Sequence, residues 1–411
     1  MAAGASEPAP ALAKRPSYGL ADQIAPIAAI SCFALSLSMS MPLFGLLLER
    51  AGYSGTVIGL SSMAAPFAMV LLAPVMPLAI RLLGLVRFFL AATMVGALSL
   101  VAVPLVDGLV AWSALRGTWG AATVALFVAA EFWIVACAPA ALRGRIIALY
   151  GIVVTAAFSA GPMVILLTGE TGVLPFATAA MLALLGLIPL AAGARRAPDP
   201  EDDGVAPSPT AALRYLRSDP TLLLAVFLFG VIEYGALSLH PAWALRAGFS
   251  VEAGVTLLSL FSLGAMLLSL PLGWAADRFE TRRLLALTAA ACAVAPLGLA
   301  AAAPAFLPTG GAMLVWGGFG AALYSLALYG LGARYQGRAL VEASAAIALA
   351  YGAGALAAPA LMGLAMDLVV PPHGLMLSAA VIAALYLGLV VARIILRPRD
   401  RPAETAETGG V

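Results

Sequence analysis

The chain has 411 residues, of which 63% are hydrophobic and only 10% are charged, and its mean hydropathy is +1.03. Soluble domains carry roughly 25% charged residues, so this chain lacks the polar surface that a water-facing fold needs. The composition therefore excludes a soluble enzyme, a nucleic-acid-binding protein and a disordered scaffold. The formal net charge of +2 indicates no polyanionic partner.

Long apolar runs predict an all-α membrane protein with twelve spanning helices, because one crossing takes about 20 apolar residues. The first six predicted spans lie near 21–48, 56–80, 86–107, 109–137, 144–168 and 171–193. The second six lie near 220–245, 251–274, 282–303, 309–333, 339–367 and 371–395. The N-terminal segment lacks a short apolar core followed by a cleavage site, so the first span is expected to remain as a membrane helix.

The longest polar stretch, Arg195 to Asp219, separates these two sets of six spans and predicts a linker. The chain then divides into an N-terminal tail at 1–20, a six-helix bundle at 21–193, a linker at 194–219, a second bundle at 220–395 and a C-terminal tail at 396–411. Two such halves form a weak internal repeat, for which a substrate site is expected near the membrane midplane between the halves.

The distribution of basic residues predicts the orientation. If the N-terminus is cytoplasmic and the chain alternates sides twelve times, all 22 Lys and Arg residues fall on the cytoplasmic side except Arg50, Arg116 and Arg246. Cytoplasmic loops of membrane proteins carry this excess, so both tails and the linker are predicted to be cytoplasmic. The preference for Arg over Lys and the heavy use of Ala are typical of a GC-rich bacterial genome, which favours the bacterial inner membrane.

Residue types that can bind metals or perform catalysis show no recognisable motif in this sequence. Cys32, Cys137 and Cys292 are scattered, without the spacing of a metal site or a disulfide framework. No nucleophile motif or phosphate-binding glycine loop is present. The sequence thus predicts no enzyme activity, no cofactor and no metal.

The loop after the eighth predicted span carries a G-x-x-x-D-R-x-x-x-R-R pattern, formed by Gly273, Asp277, Arg278, Arg282 and Arg283. Together with twelve spans and a central linker, this pattern resembles the signature loop of the major facilitator superfamily. The resemblance implies two pseudo-symmetric six-helix bundles and a gating latch in this loop, with Arg145 and the start of the fifth span as partners of Asp277. The alternative is that these charges fix only the topology. The matching loop of the first half has Ile80 where an acid is expected, which argues against symmetric gating.

Arg116 lies within the fourth predicted span, four residues before Gly120. This R-x-x-x-G stretch is similar to one found in many proton-coupled members of the family. An arginine in hydrocarbon costs several kcal/mol unless it is paired or hydrated, so Arg116 is expected to face a cavity and tune proton coupling. The alternative is an arginine whose side chain extends to the outer membrane surface.

Glu233 lies about thirteen residues into the seventh predicted span, near the midplane, and His240 follows seven residues later on the same helical face. A carboxyl at that depth suits a group that binds and releases protons during transport, and His240 could relay them toward the outside. The alternatives are a permanently protonated, hydrogen-bonded glutamate and a histidine that only packs.

The family resemblance implies that the first, fourth, seventh and tenth spans line a central cavity. Candidate substrate-contacting residues on these spans are Ser36, Ser40, Trp119, Tyr234, Trp316 and Tyr324. Hydroxyls and aromatic rings suit an amphipathic organic solute better than a dense anion, although aromatic residues in membrane helices more often only pack. Gly161-Pro162 is similar to part of an antiporter motif of the family, but the flanking glycines are absent.

These observations favour a secondary transporter that moves a small organic solute by alternating access, coupled to protons and in the export direction. One alternative is a proton symporter or facilitator that imports an organic acid or a sugar. Another is a non-transporting assembly factor or receptor with the same fold. The expected partners are the solute, protons and the lipid bilayer, with no nucleic acid, and a monomer is expected to function.

Overall fold

A computed structural model describes residues 21–139, 142–198, 214–215, 217–335 and 337–396. The predicted tail at 1–20, the middle of the predicted linker at 199–213 and residues 397–411 of the C-terminal tail lie outside these ranges.

Within the described ranges, twelve helices are long and apolar enough to cross a membrane, as the sequence predicts. The first six are α1 (Ala21–Arg50), α2 (Gly55–Leu83), α3 (Leu85–Ala102), α4 (Leu109–Cys137), α5 (Arg143–Thr168) and α6 (Val173–Arg196). The second six are α7 (Pro220–Arg246), α8 (Val251–Ala276), α9 (Thr281–Ala302), α10 (Phe306–Gly332), α11 (Gly337–Leu368) and α12 (Gly374–Leu396). The described residues contain no β-strand, so the predicted fold class is confirmed.

The second helix differs from its prediction as one uninterrupted span. It consists of Gly55–Ser62, Ala64–Leu72 and Met76–Leu83, with a 3-10 turn at Ala73–Val75. Pro74 and Pro77 have no backbone N–H to donate, so the hydrogen-bond ladder is interrupted around them.

The outer surface of the bundle is apolar. Val110, Leu167 and Leu307 are each more than 80% exposed although they belong to helices or to a helix end. Exposed leucine and valine at this density would aggregate in water and are stable against lipid. The surface therefore agrees with twelve membrane-spanning helices.

Each half is held together by helices that approach closely at glycines. A Cβ added to Gly161 on α5 would lie 1.8 Å from the Ser38 Oγ on α1, and one added to Gly354 on α11 would lie 2.1 Å from the carbonyl oxygen of Phe227 on α7. Helices in membranes associate mainly through close packing of small residues rather than through the hydrophobic effect. Glycine at these positions therefore allows contacts that any other side chain would prevent.

Consecutive helices run in opposite directions, so two ends of the bundle can be distinguished. We call the end at which α1 begins and α12 ends the terminal face, and the other end the distal face. The halves contact each other toward the distal face, where α2 packs on α11 and α5 packs on α8. Ser159 on α5, for example, donates a hydrogen bond to the carbonyl oxygen of Ser259 on α8 at 3.1 Å.

The end of the linker is attached to the second half at the terminal face. Asp219 accepts hydrogen bonds from Arg334 and Tyr335, which lie just beyond α10. The hydroxyl of Tyr215 donates to the carbonyl oxygen of Ala339 on α11 at 3.0 Å. The last residues before α7 are therefore fixed to the bundle that they enter.

Candidate functional site

A carboxylate–tyrosine pair lies near the middle of α7. The hydroxyl of Tyr351 on α11 donates to the Oε2 of Glu233 at 2.7 Å. Phe229, one turn earlier on α7, packs with its ring centroid 5.8 Å from that of Tyr351 and 5.4 Å from that of Tyr324 on α10. Glu233 is partly buried. The acid in the middle of α7 thus lies in a group of aromatic side chains from three helices of the second half, α7, α10 and α11.

A second acid faces this group from the first half. Glu131 lies near the terminal-face end of α4 and accepts a hydrogen bond from the hydroxyl of Tyr150 on α5 at 3.3 Å. Tyr324 lies within electrostatic range of both Glu131 and Glu233. Two acids and three tyrosines, Glu131, Glu233, Tyr150, Tyr324 and Tyr351, thus form an acid–tyrosine cluster to which both halves contribute.

Arg116 lies on α4, four turns farther toward the distal face than Glu131. Its side chain is only 2% exposed, and the guanidinium carbon is 5.4 Å from the ring centroid of Phe44 on α1. Within the described part of the chain, its two terminal nitrogens have no hydrogen-bond partner. Tyr234 of the other half lies within electrostatic range. The guanidinium is therefore enclosed in the protein and does not extend to the membrane surface.

His240 lies two turns beyond Glu233, toward the distal face. Its side chain is completely buried, and its ring packs 5.2 Å from that of Trp243, centroid to centroid. No hydrogen bond joins His240 to Glu233 among the described residues. The shared helical face predicted from the spacing thus brings the two residues to the same side of α7 without direct contact.

The two candidate serines of α1 use their hydroxyls inside the first half. Ser36 donates to the carbonyl oxygen of Ala179 on α6 at 2.6 Å, and Ser40 donates to that of Leu37 on its own helix at 3.0 Å. Both serines are completely buried. Neither hydroxyl is directed toward the acid–tyrosine cluster.

The two candidate tryptophans also pack inside their own halves. Trp119 is 2% exposed, and its ring centroid lies 4.9 Å from that of Phe33 on α1. Trp316 is completely buried and packs edge-on against Phe261 on α8, with centroids 5.5 Å apart. Of the six candidate substrate-contacting residues, the structure thus brings Tyr234 and Tyr324 toward the charged residues and places the other four in helix interfaces.

The loop between α8 and α9, in which the sequence predicts the latch, lies at the terminal face. Gly273 and Asp277 are exposed, and the guanidinium of Arg278 lies 3.9 Å above the ring centroid of Trp274. Arg283 forms an exposed ion pair with Glu280 at 3.3 Å. These two contacts stay within residues 274–283.

The predicted partner of this loop is separate from it. Arg145 is exposed, Arg282 is partly buried, and the described residues contain no ion pair or hydrogen bond between Asp277 and Arg145. The side chain of Arg143 lies outside the described residues. At the terminal face the predicted latch is thus not engaged through Asp277 and Arg145.

The distal face holds an ion-pair network that the sequence does not predict. Arg246, the last residue of α7, forms salt bridges with Glu49 on α1 at 2.8 Å and with Asp367 on α11 at 3.0 Å. The sequence places Arg246 on the outer side but gives it no partner, because Glu49 and Asp367 lie 197 and 121 residues away in the chain. The one signal in the sequence is that each of the three residues ends a predicted span on the same side.

These features define a class of protein. Two six-helix halves of a membrane bundle contact each other at one face, and acids from both halves lie between them. This is the architecture of a twelve-helix membrane carrier.

Comparison with known proteins identifies the family. Residues 27–331, and again residues 253–410, match the model of the Major Facilitator Superfamily. The first match alone covers more than half of the chain, so the chain belongs to this family. An uncharacterized MFS-type transporter of Bacillus subtilis (strain 168), YfkF, is 24% identical over 268 residues, which are 64% of this chain and 68% of that protein.

Solved structures show the same fold at low sequence identity. The nucleoside transporter NupG has a TM-score of 0.69 and 13% identity, and the D-xylose-proton symporter has a TM-score of 0.71 and 14% identity. A bacterial homologue of the human lysosomal transporter Spinster, in an inward-facing and unoccupied conformation, has a TM-score of 0.67 and 15% identity. Each alignment covers 92% of this chain and 98% of the other. The protein is a membrane transporter of the major facilitator type and not an enzyme.

Proposed function

We propose that this protein is a proton-coupled transporter that exports a small organic solute by alternating access. The observation that carries the proposal is the position of Glu233, a carboxyl at mid-membrane depth whose hydrogen-bond partner is a tyrosine hydroxyl. Ionisable residues at such a depth are costly, and they usually mark the path of a proton or a substrate. Glu233 would carry the proton.

Arg116 and His240 have secondary roles in this proposal. A guanidinium enclosed near Tyr234 contributes a positive potential inside the first half, which would tune the proton affinity of the central acids or meet an anionic group of the solute. His240, two turns farther along α7, would extend the proton path toward the distal face.

The chemistry of the acid–tyrosine cluster and of the neighbouring Phe229 supports an amphipathic solute. Phe229 and Tyr324 offer aromatic faces, and Glu131 and Glu233 offer carboxylates from opposite halves. Aromatic rings with a few polar groups bind organic molecules, whereas a dense anion would require several cations. We expect Tyr234 and Tyr324 to contact the solute.

The orientation follows from the excess of basic residues on one side. If the terminal face is cytoplasmic, the contacts at the distal face close the carrier toward the outside. The loop from Gly273 to Arg283 would then close the other side, with Asp277 engaging Arg145 after the halves rock. For this chain we propose a bacterial inner membrane location and function as a monomer.

An importing symporter is the second candidate. Among proteins of the same fold is a D-xylose-proton symporter, and a protonatable acid at the midplane serves symport as well as exchange. The direction of solute movement relative to the proton gradient separates the two mechanisms. A non-transporting receptor or assembly factor would show no solute-dependent proton movement in either direction.

The test is proton flux in proteoliposomes loaded with a pH-sensitive dye. Amphipathic drugs, organic acids and sugars are added to wild type, to Glu233→Gln and to Glu252→Gln. Glu252 is exposed at the start of α8, far from the cluster, and serves as the matched control for the loss of a carboxylate.

We expect at least one compound to drive proton movement in wild type and in Glu252→Gln but not in Glu233→Gln. Counterflow of a labelled compound without proton movement in any of the three proteins would refute proton coupling and favour a facilitator. If Glu233→Gln moved protons at the wild-type rate, Glu233 would not be the proton carrier.

A further inference from the structure

The guanidinium of Arg246 bridges the two halves at the distal face. Its Nε and Nη2 donate to the carboxylate of Glu49 at 2.8–3.0 Å, and Nη2 also donates to the carbonyl oxygen of Tyr53 at 3.0 Å. Arg246 ends α7 in the second half, while Glu49 and Tyr53 belong to the first half. This bidentate geometry is the strongest arrangement of an arginine–carboxylate pair.

Asp367 makes the reciprocal contact. It lies at the end of α11 in the second half and accepts from the backbone N–H groups of Gly55 and Thr56 at 2.9 and 2.7 Å. The hydroxyl of Thr56 also donates to Asp367 at 2.7 Å. These N–H groups begin α2, where the helix dipole favours a negative charge. A carboxylate from one half therefore caps a helix of the other half.

A third contact fixes the arrangement. The Nη1 of Arg246 donates to Asp367 at 3.0 Å, and this bond lies within the second half. Arg246 and Asp367 thus orient each other toward Glu49 and the start of α2. The side chains of Arg246, Glu49 and Asp367 are 25%, 16% and 19% exposed, so their interactions are less screened than those of a surface pair.

We propose that Glu49, Arg246 and Asp367 form a distal clasp that holds the transporter closed at the face opposite its termini. Opening that face to solute requires every bond that joins Arg246 and Asp367 to the first half to break together. The clasp rests on the proposed alternating access, because it acts on the equilibrium between the two faces. It assigns a gating role to residues outside the latch loop and outside the acid–tyrosine cluster.

The chain provides a matched control beside the clasp. Arg50, next to Glu49, forms a salt bridge with Glu170 at 2.8 Å at the same face. Both residues belong to the first half, so this bridge stays intact when the halves separate. Loss of the Arg50 charge should therefore leave the equilibrium between the faces unchanged.

The experiment measures distances between pairs of spin labels by double electron–electron resonance in nanodiscs. Cys32, Cys137 and Cys292 are replaced by alanine, and labels are placed at the exposed distal positions Thr171 and Ala305, one in each half. Arg246→Gln, Glu49→Gln and Arg50→Gln are compared in this background. The readout needs no substrate, so the clasp can be tested even if the proposed solute class or proton coupling is wrong.

We expect Arg246→Gln and Glu49→Gln to raise the ratio of distally open to distally closed molecules by about tenfold, since each removes charge-assisted hydrogen bonds made in only one state. Arg50→Gln should match the unsubstituted background. Equal distributions in Arg246→Gln and Arg50→Gln would overturn the proposal.

Variants with exchanged charges distinguish loss of the ion pair from a folding defect. The double variant Glu49→Arg with Arg246→Glu keeps an ion pair between the halves, although the carboxylate introduced at position 246 then lies near Asp367 and is repelled by it. Asp367→Asn in addition removes that repulsion, and this triple variant should return the distance distribution toward the closed state. Failure of the triple variant to do so, in protein that elutes as a single species from size exclusion, would also count against the clasp.

Discussion

Gly59 on α2 provides the sharpest test of how the halves meet. A Cβ added there would lie 2.0 Å from the carbonyl oxygen of Pro359 on α11 and 2.8 Å from its carbonyl carbon. Ordinary contacts of a Cβ with other heavy atoms are about 3.4 Å or longer. In Gly59→Ala the two helices must therefore separate by more than about 1 Å, and the obstacle is backbone that cannot rotate away.

The free-energy cost of Gly59→Ala falls on the state in which α2 and α11 are in contact. Overpacking of a well-packed interface costs about 1–3 kcal/mol, and the contact between α2 and α11 joins the two halves. The penalty therefore falls on the distally closed state. A difference of about 1–3 kcal/mol corresponds to about 5- to 150-fold in the equilibrium between the two states.

The assay is the distance distribution between labels at Thr171 and Ala305, with Gly388→Ala as the control. A Cβ added to Gly388 on α12 meets nothing within 4 Å. Both substitutions gain about 1 kcal/mol of helix propensity, and only Gly59→Ala crowds the other half. We expect a shift toward the distally open state in Gly59→Ala alone. An unchanged distribution would refute the reasoning that this contact is specific to the closed state.

Three further substitutions test packing and charge. Arg116→Met should raise the melting temperature of the detergent-solubilised protein, because it removes a buried charge whose terminal nitrogens have no hydrogen-bond partner among the described residues. It should also abolish solute-driven proton flux, and a lower melting temperature would indicate a structural role for Arg116. Gly161→Val should lower the melting temperature strongly, since even a Cβ at that position lies 1.8 Å from the Ser38 Oγ, and wild-type stability would contradict the close contact of α1 and α5. Ser36→Ala should cost about 1 kcal/mol for the lost hydrogen bond without changing the solute KM in flux assays, and a raised KM would place that hydroxyl in the solute site.

The helices could be predicted because the membrane imposes a strong and local constraint. A run of about 20 apolar residues has few alternatives to a spanning helix. The break of α2 at Ala73–Val75 is harder to predict from the sequence, because proline in a membrane helix produces either a kink or an interruption.

The residues around Glu233 could be predicted only in part. The depth of Glu233 follows from its position along a run, and that position is local information. Its partner Tyr351 is 118 residues away, and no spacing rule connects two helices so far apart in the chain. The same limit applies to Ser36 and Trp316. The polar residues of α1 and α10 are not gathered on one face, so the sequences do not indicate which face meets the other half.

The glycines along α2 and α11 bear on how fast the two halves can separate. Gly55 and Gly59 on one helix lie against Pro359 and Gly363 on the other, so much of this contact joins one backbone to another. Where side chains interlock, each must change rotamer before two surfaces can part. Smooth backbone surfaces avoid most of that obstruction, and we expect the distal face to open with a low kinetic barrier once its polar contacts release.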